Sequence, residues 1–439
     1  MAVATSNNLD HFWLPFTPNK YFRKNPKILV SAKGMYYKDA DGQDVLDGTA
    51  GLWCVNVGHA HPHIVQAVQK QIETFDYGPA FQVSHPAAFD LARRLSYMTP
   101  GDLNHAFFTN SGSESVDTAL KIALAYHYNR GEPQRVRFIG RERGYHGVGF
   151  GGISVGGIPA NRKTFGARLP FVDHVRHTLD IKRNAYSRGI PKHGAELAEE
   201  IERLIVFNDP STVAAVIIEP FSGSAGVILP PTGYLERVRK ICDTHGVLLI
   251  FDEVISGFGR MGTPFGADFF GVTPDMMTLA KGLTSGVIPM GAVMASETIY
   301  EAFMQGPEHV IDLFHGYTYS GHPMACAAAH ATLDIYEQEG LFARAADLAP
   351  AFEEAIHSLK GAPFVQDIRN IGLVGGIDLE PDSAQPGRRG YKVFEDCFHQ
   401  GVLVRVTSDI IAISPPLVVE AQHFDKIIKT IRNALENLN

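Results

Sequence analysis

Two short apolar runs in the second half of the chain each end in a residue able to do chemistry. Val247-Leu248-Leu249-Ile250-Phe251 leads into Asp252, and Met276-Met277-Thr278-Leu279-Ala280 leads into Lys281. Continuous apolar runs of this length predict strands buried on both faces. In an open α/β sheet, ligands bind outside the carboxyl ends of the strands, so the acid and the amine are expected at one crevice. Such a pair suits pyridoxal 5'-phosphate (PLP), which is held as a Schiff base through a lysine while its pyridinium nitrogen is paired with an acid. The lysine, once released, can carry a proton from one carbon to another. A buried Asp–Lys ion pair would read the same from these two positions alone.

Other residues suggest partners for that pair. The predicted strand His105–Thr109 runs into Asn110-Ser111-Gly112-Ser113-Glu114, with a helix expected from Ser115. Hydroxyls and free N–H groups at a helix N-terminus form an anion site, although an ordinary serine cap has the same letters. Tyr145-His146, between Gly144 and Gly147 after the predicted strand Val136–Gly140, can set an aromatic face against a planar group. Gly257-Phe258-Gly259-Arg260-Met261-Gly262 fits the glycine fingerprint of dinucleotide sites, but Pro264, Gly266, Gly271 and Pro274 follow where that fingerprint needs a long helix. His59, His61 and His63 alternate around Pro62, which argues for a loop and helix entry rather than a metal-binding strand. Trp53, in a glycine-bounded stretch, either walls a ligand pocket or plugs a seam.

Apolar strands alternate with amphipathic helices from Phe89 to Pro323, which predicts an α/β fold with a mostly parallel central sheet flanked by helices. Further strands are expected at Val213–Ile218, ending in Glu219, and at Gly291–Ala295. Residues 147–157 read as a glycine-rich loop and 331–360 as one helical region. A linker is expected at 380–390, a helix near 392–399, a strand over 401–406 and a last helix over 421–438. Hairpin pieces at 35–37 and 45–47 flank the turn Asp41-Gly42. The expected organisation is an N-terminal segment (1–77) joining a small α+β domain, a large domain (78–323) and a C-terminal small domain (324–439).

The 439 residues are 45% hydrophobic and 20% charged, which is ordinary for a globular chain. A net charge of −8 argues against general attraction to nucleic acid or anionic membranes. Cys54, Cys242, Cys326 and Cys397 have no metal-ligand or C-x-x-C spacing. The first twenty residues lack a basic stretch followed by an apolar one, and no run approaches a membrane span, so a cytoplasmic protein is expected.

With Ser111-Gly112-Ser113, Tyr145-His146-Gly147, Asp252-Glu253-Val254 and Lys281 in this order, the chain resembles fold-type I PLP enzymes of the class III aminotransferases. The phrases GYHGV, EPFSGSAGV, FDEVISGFGR and HGYTYSGHP are most similar to the ω-amino acid:pyruvate branch, β-alanine:pyruvate in particular. The resemblance implies transfer of an amino group from an ω-amino acid or primary amine to pyruvate. Taurine, putrescine or arylalkylamine donors are alternatives within transaminases, as are aminomutase or decarboxylase chemistry outside them. It further implies Lys281 as the PLP lysine and proton carrier, Asp252 on the pyridinium nitrogen, and Tyr145 and Val254 on the two ring faces. Ser111, Gly112 and Ser113 would hold the phosphate together with Thr318 of a neighbouring subunit, in an obligate homodimer, a tetramer being left open. Trp53, Phe81 and Tyr145 would wall the substrate pocket, and Arg405 would meet substrate carboxylates. The acid–arginine pair of 2-oxoglutarate enzymes has no counterpart, since Ser224 stands at the acid's place and Ile410–Pro416 contains no arginine.

Overall fold

Strand Leu248–Asp252 is buried along its whole length, and its neighbours explain why. In the computed structural model, which describes residues 9–438, it lies at the centre of a seven-stranded sheet. Across that sheet the order is His105–Thr109, Gly291–Ala295, Met276–Leu279, Leu248–Asp252, Val213–Ile218, Arg137–Arg141 and Val172–Val175. The last five are mutually parallel, whereas Gly291–Ala295 runs antiparallel to both of its neighbours. Alternation along the central strand splits the core in two. Leu249 and Phe251 enter one apolar cluster with Leu235 and Val238 of helix Tyr234–His245. Leu248 and Ile250 enter another, with Val116, Ala119 and Ala123 of helix Gly112–Asn129. A sheet covered on both faces needs the unbroken apolar runs seen in the sequence.

Two four-stranded sheets complete the fold. One pairs Leu29–Lys33, Tyr36–Asp39 and Asp44–Asp47 in succession, then accepts Val402–Leu403 in parallel beside Asp44–Asp47. The other orders Val365–Ile371, Val374–Leu379, Ile410–Ile413 and Arg405–Thr407. The expected single strand over 401–406 is therefore two strands in two sheets, with Val404 at the crossing. No periodicity in six residues signals such a change of partner.

Other boundaries also differ from expectation. The helix after Thr109 starts at Gly112, three residues early, because Ser111 caps it by accepting from the Glu114 N–H at 3.2 Å. Phe150–Val155 is a helix, not loop; its glycines let it approach closely, a Cβ on Gly152 falling 2.2 Å from the His146 carbonyl. The region 331–360 is two helices, Pro323–Gln338 and Leu341–His357, separated by left-handed Gly340 (φ +58°). Arg388–His399 begins four residues before the expected helix and shortens the linker. Residues 1–8, part of the leader reading, and residue 439, the end of the C-terminal segment, lie outside the described residues.

The glycine run near Gly257 acts as a joint. Buried Arg260 donates to the Asn56 side chain (3.0 Å) and to the carbonyls of Leu373 (3.2 Å) and Pro415 (2.6 Å), tying the N-terminal segment to the C-terminal region. Burial without a carboxylate in contact pushes this guanidinium down to about 10. Glu253, fully buried and pushed up to about 7 by that burial, accepts from Gly266 N (2.8 Å) and Ala267 N (2.7 Å), fixing helix Gly266–Phe270. Among the described residues no helix is long and apolar enough to cross a membrane.

Candidate active site

The carboxyl ends of the parallel strands meet at a cavity of about 130 Å³. Gly112, Ser113, Tyr145, His146, Gly147, Glu219, Asp252, Val254, Ile255 and Lys281 line it. Asp252 closes strand Leu248–Asp252, and three partners fix its carboxylate. One oxygen accepts from the Thr278 hydroxyl (3.1 Å) and Val254 N (3.2 Å), and the other is 2.8 Å from His146 Nδ1. His146 is buried, and its Nε2 has no protein partner. Since Asp252 accepts, the imidazole Nδ1 is the donor, which leaves the carboxylate a free lone pair toward the cavity.

Lys281 follows strand Met276–Leu279 and opens a short 3₁₀ turn with φ +45°. A lysine in the left-handed region is strained, and such strain collects where surrounding structure fixes a functional side chain. Burial pushes its amine down to about 8, while the charges of Cys54, Asp252 and Glu219 pull upward and that of Arg405 downward. Burial therefore outweighs the nearby acids.

Glu219, at the end of strand Val213–Ile218, is buried and spans two loops. It accepts from Tyr145 N (3.0 Å) and Gly223 N (3.1 Å). Burial holds its carboxyl above the usual range. Behind it, buried Arg141 donates to the Glu219 carbonyl and the Ser222 hydroxyl, both at 2.9 Å. His146, expected only as part of an aromatic pair, is thus a partner of Asp252, and Glu219, expected only as the end of a strand, is a link between loops. For Glu219 a signal existed, an acid at the end of a fully apolar strand; for His146 only its position beside Tyr145 pointed inward.

A planar pyridine bearing a phosphate fits what lines this space. Gly112 and Ser113 open an 18-residue helix, whose first N–H groups have no partner within the helix and favour an anion. Side chains at the glycines would fill the cradle: a Cβ on Gly147 would lie 2.4 Å from Ser113 Oγ, and one on Gly112 would lie 3.0 Å from Val254. Asp252 supplies the acceptor that a protonated ring nitrogen requires.

The remaining predicted residues lie farther out. Ser111 is the helix cap. Trp53 is buried one layer back, in a cluster with Phe221, Ile255 and Met261. Arg405 is partly buried in strand Arg405–Thr407, near enough to Tyr145 and Lys281 for their charges to act on one another. Phe81, 59% exposed, lines a separate apolar cavity of about 1030 Å³ with Phe107 and Phe314. Thr318 is exposed, its carbonyl accepting from the Tyr77 hydroxyl at 3.1 Å. Within one chain, neither Phe81 nor Thr318 reaches the Lys281 cavity.

A doubly covered, mostly parallel sheet that brings an acid and a lysine to a helix N-terminus defines a fold-type I PLP-dependent transferase. The chain belongs to the class-III aminotransferases, whose family model matches residues 20–435. It is 57% identical to an omega-aminotransferase of Caulobacter vibrioides over 430 residues, 98% of each chain. It is 47% identical to the beta-alanine--pyruvate aminotransferase of Pseudomonas aeruginosa, with 99% of this chain and 98% of that one covered. A solved amine transaminase from an uncultivated Pseudomonas species, in its PLP-bound form, superposes with a TM-score of 0.92 at 36% identity. That match covers 99% of this chain and 100% of the other.

Proposed function

We propose that the protein transfers the amino group of an ω-amino acid of the β-alanine type, or of a primary amine, to pyruvate. The products are alanine and the corresponding aldehyde or ketone. The observation that carries this reading is the convergence of Asp252, Lys281 and the Gly112–Ser113 helix terminus on one cavity. When bound, PLP supplies the electron sink that makes the substrate C–H acidic. Asp252, oriented by His146 and Thr278, holds a proton on the ring nitrogen. Gly112 and Ser113 orient the phosphate, and Tyr145 and Val254 restrain the two ring faces. Lys281, with a basicity lowered toward neutrality, takes a proton from one carbon and returns it to another, in the range where general acid–base catalysis is efficient.

Arg405 is proposed to receive the carboxylate of pyruvate or β-alanine through two parallel hydrogen bonds. Pyruvate rather than 2-oxoglutarate is favoured as acceptor. No arginine lies in strand Ile410–Ile413 or the following Ser414-Pro415-Pro416, and Ser224 uses its carbonyl to accept from Thr407 Oγ1 at 2.9 Å. Phe81 and Thr318, exposed here, are proposed to complete the site of a second copy, with Trp53 and Tyr145 forming the remaining wall. Sedimentation of active enzyme as a monomer would refute that assembly.

The central test is the absorbance of the PLP-loaded protein. The cofactor band should be lost with β-alanine and restored by pyruvate but not by 2-oxoglutarate. A band indifferent to β-alanine and to simple amines would overturn the donor assignment, and failure to bind PLP would overturn the site.

A further inference from the structure

The backbone from Gly48 to Cys54 takes a path that needs support. Ala50, Gly51 and Trp53 all have positive φ, at 46°, 65° and 65°. Glycine accepts that region freely, but in alanine and tryptophan the Cβ crowds the following carbonyl. Two such residues within four persist only where neighbouring groups over-determine the turn.

Asp47 provides that support from the end of strand Asp44–Asp47. Its side chain is fully buried. One carboxylate oxygen accepts from Thr49 N (2.9 Å) and Thr49 Oγ1 (3.2 Å). The other accepts from Gly51 N (2.7 Å) and lies 2.8 Å from His59 Nε2. His59 is held in turn by the Tyr37 ring, 4.2 Å away between centroids. Beyond the turn, Asn56 donates to the Phe258 carbonyl at 2.8 Å, so both ends of the segment are anchored.

What this turn delivers is Trp53. Only 4% of it is exposed, and it packs in the cluster that contains the cavity-lining residue Ile255. Its indole N–H is buried with no protein partner, an uncommon condition for a donor in a packed interior. We infer that Asp47, braced by His59, is the positioning residue that fixes the Trp53 ring beside the cavity and so limits the size of the amino donor. The inference rests on the reading of Trp53 as a wall of the substrate pocket.

A single change of atom type tests it. Each Asp47 oxygen receives a backbone N–H, so in Asp47→Asn neither orientation of the amide satisfies the turn, because its NH₂ must face a donor. His59→Gln is milder, since it removes the brace and leaves both backbone contacts. Trp13 and Trp53 are the only tryptophans, and Trp13 is 87% exposed, so a Trp13→Phe background isolates the Trp53 signal. In PLP-loaded enzyme of that background, Asp47→Asn should red-shift Trp53 emission and raise its acrylamide quenching severalfold. His59→Gln should do the same to a lesser degree. The ratio of kcat/KM for 1-phenylethylamine to that for β-alanine should rise severalfold, chiefly through a lower KM for the aryl amine. Unchanged emission and quenching in folded variants would overturn the inference, whatever the rates. Increased quenching with an unchanged ratio would uphold Asp47 as the positioning residue and remove Trp53 from the pocket wall. Should Asp47→Asn fail to fold, the quenching of His59→Gln decides.

Discussion

Lys281 titrates at about 8 rather than at its ordinary 10.5. That displacement disfavours the ammonium by roughly 3 kcal/mol, at about 1.4 kcal/mol per pKa unit. At pH 7 an ordinary lysine is neutral in about one molecule in 3000, whereas one titrating near 8 is neutral in about one in ten. The structure therefore presents roughly 300 times more free amine than a surface lysine does. Reductive methylation of the cofactor-free protein by limiting formaldehyde, read at Lys281 by peptide mass spectrometry, should give a pH–rate midpoint near 8. Asp252 holds the amine's basicity up and Arg405 holds it down, so Asp252→Asn should lower the midpoint and Arg405→Leu should raise it. A midpoint above about 10, or variants moving in the same direction, would refute the electrostatic account of the site. Stability must follow the same linkage. Between about 8 and 10.5 the unfolded chain binds more protons than the folded one, so the cofactor-free protein should gain stability as pH rises through that window. Below it the penalty is fully present, and Lys281→Met should melt higher at pH 7.

Turnover should vanish in Lys281→Ala while the fold persists, as measured by alanine formation and circular dichroism; normal turnover would remove the lysine from the mechanism. Arg405→Ala should lower kcat/KM for pyruvate and β-alanine by about 10- to 100-fold, the worth of a charge-assisted pair, with little change for an uncharged amine; equal losses for both would exclude a carboxylate contact. Buried Arg369 donates to Asp367 (2.8 Å) and Asp378 (2.7 Å). Arg369→Leu leaves two carboxylates facing each other and should cost about 3–5 kcal/mol in denaturant unfolding.

The half-buried edge strand at 105–109 was legible from the Asn110-Ser111-Gly112 turn that ends it, and those at 213–218 and 291–295 because burial on both faces demands uninterrupted apolar runs bounded by turn residues. Asp252 and Lys281 were legible for the same reason, each being the first chemically active residue past such a run. Residues 401–406 were not, since Val402 pairs with Leu46 of the distant N-terminal segment, while Arg405 turns into a local hairpin with Ala412, so the break between two sheets is set by a partner outside the segment. The glycine-rich stretch at 147–157 concealed a helix because its glycines serve close packing, Gly152 against the His146 carbonyl and Gly151 against Asp117 and Leu120, a use that intrinsic propensity cannot show.

What the sequence determined by itself was the chemistry on offer: an acid and an amine at strand ends, a hydroxyl-rich helix entry, and no arginine at 410–416. These follow from residue type and local period, which are properties of the chain alone. Tertiary structure decided how that chemistry is tuned. His146 meets Asp252 across 106 positions and Glu219 ties Tyr145 to Gly223, while enclosure of Lys281 lowers its basicity. Asp47 bends the backbone that carries Trp53. Each of these depends on desolvation or on contacts made by folding, and neither is written in the local order of residues.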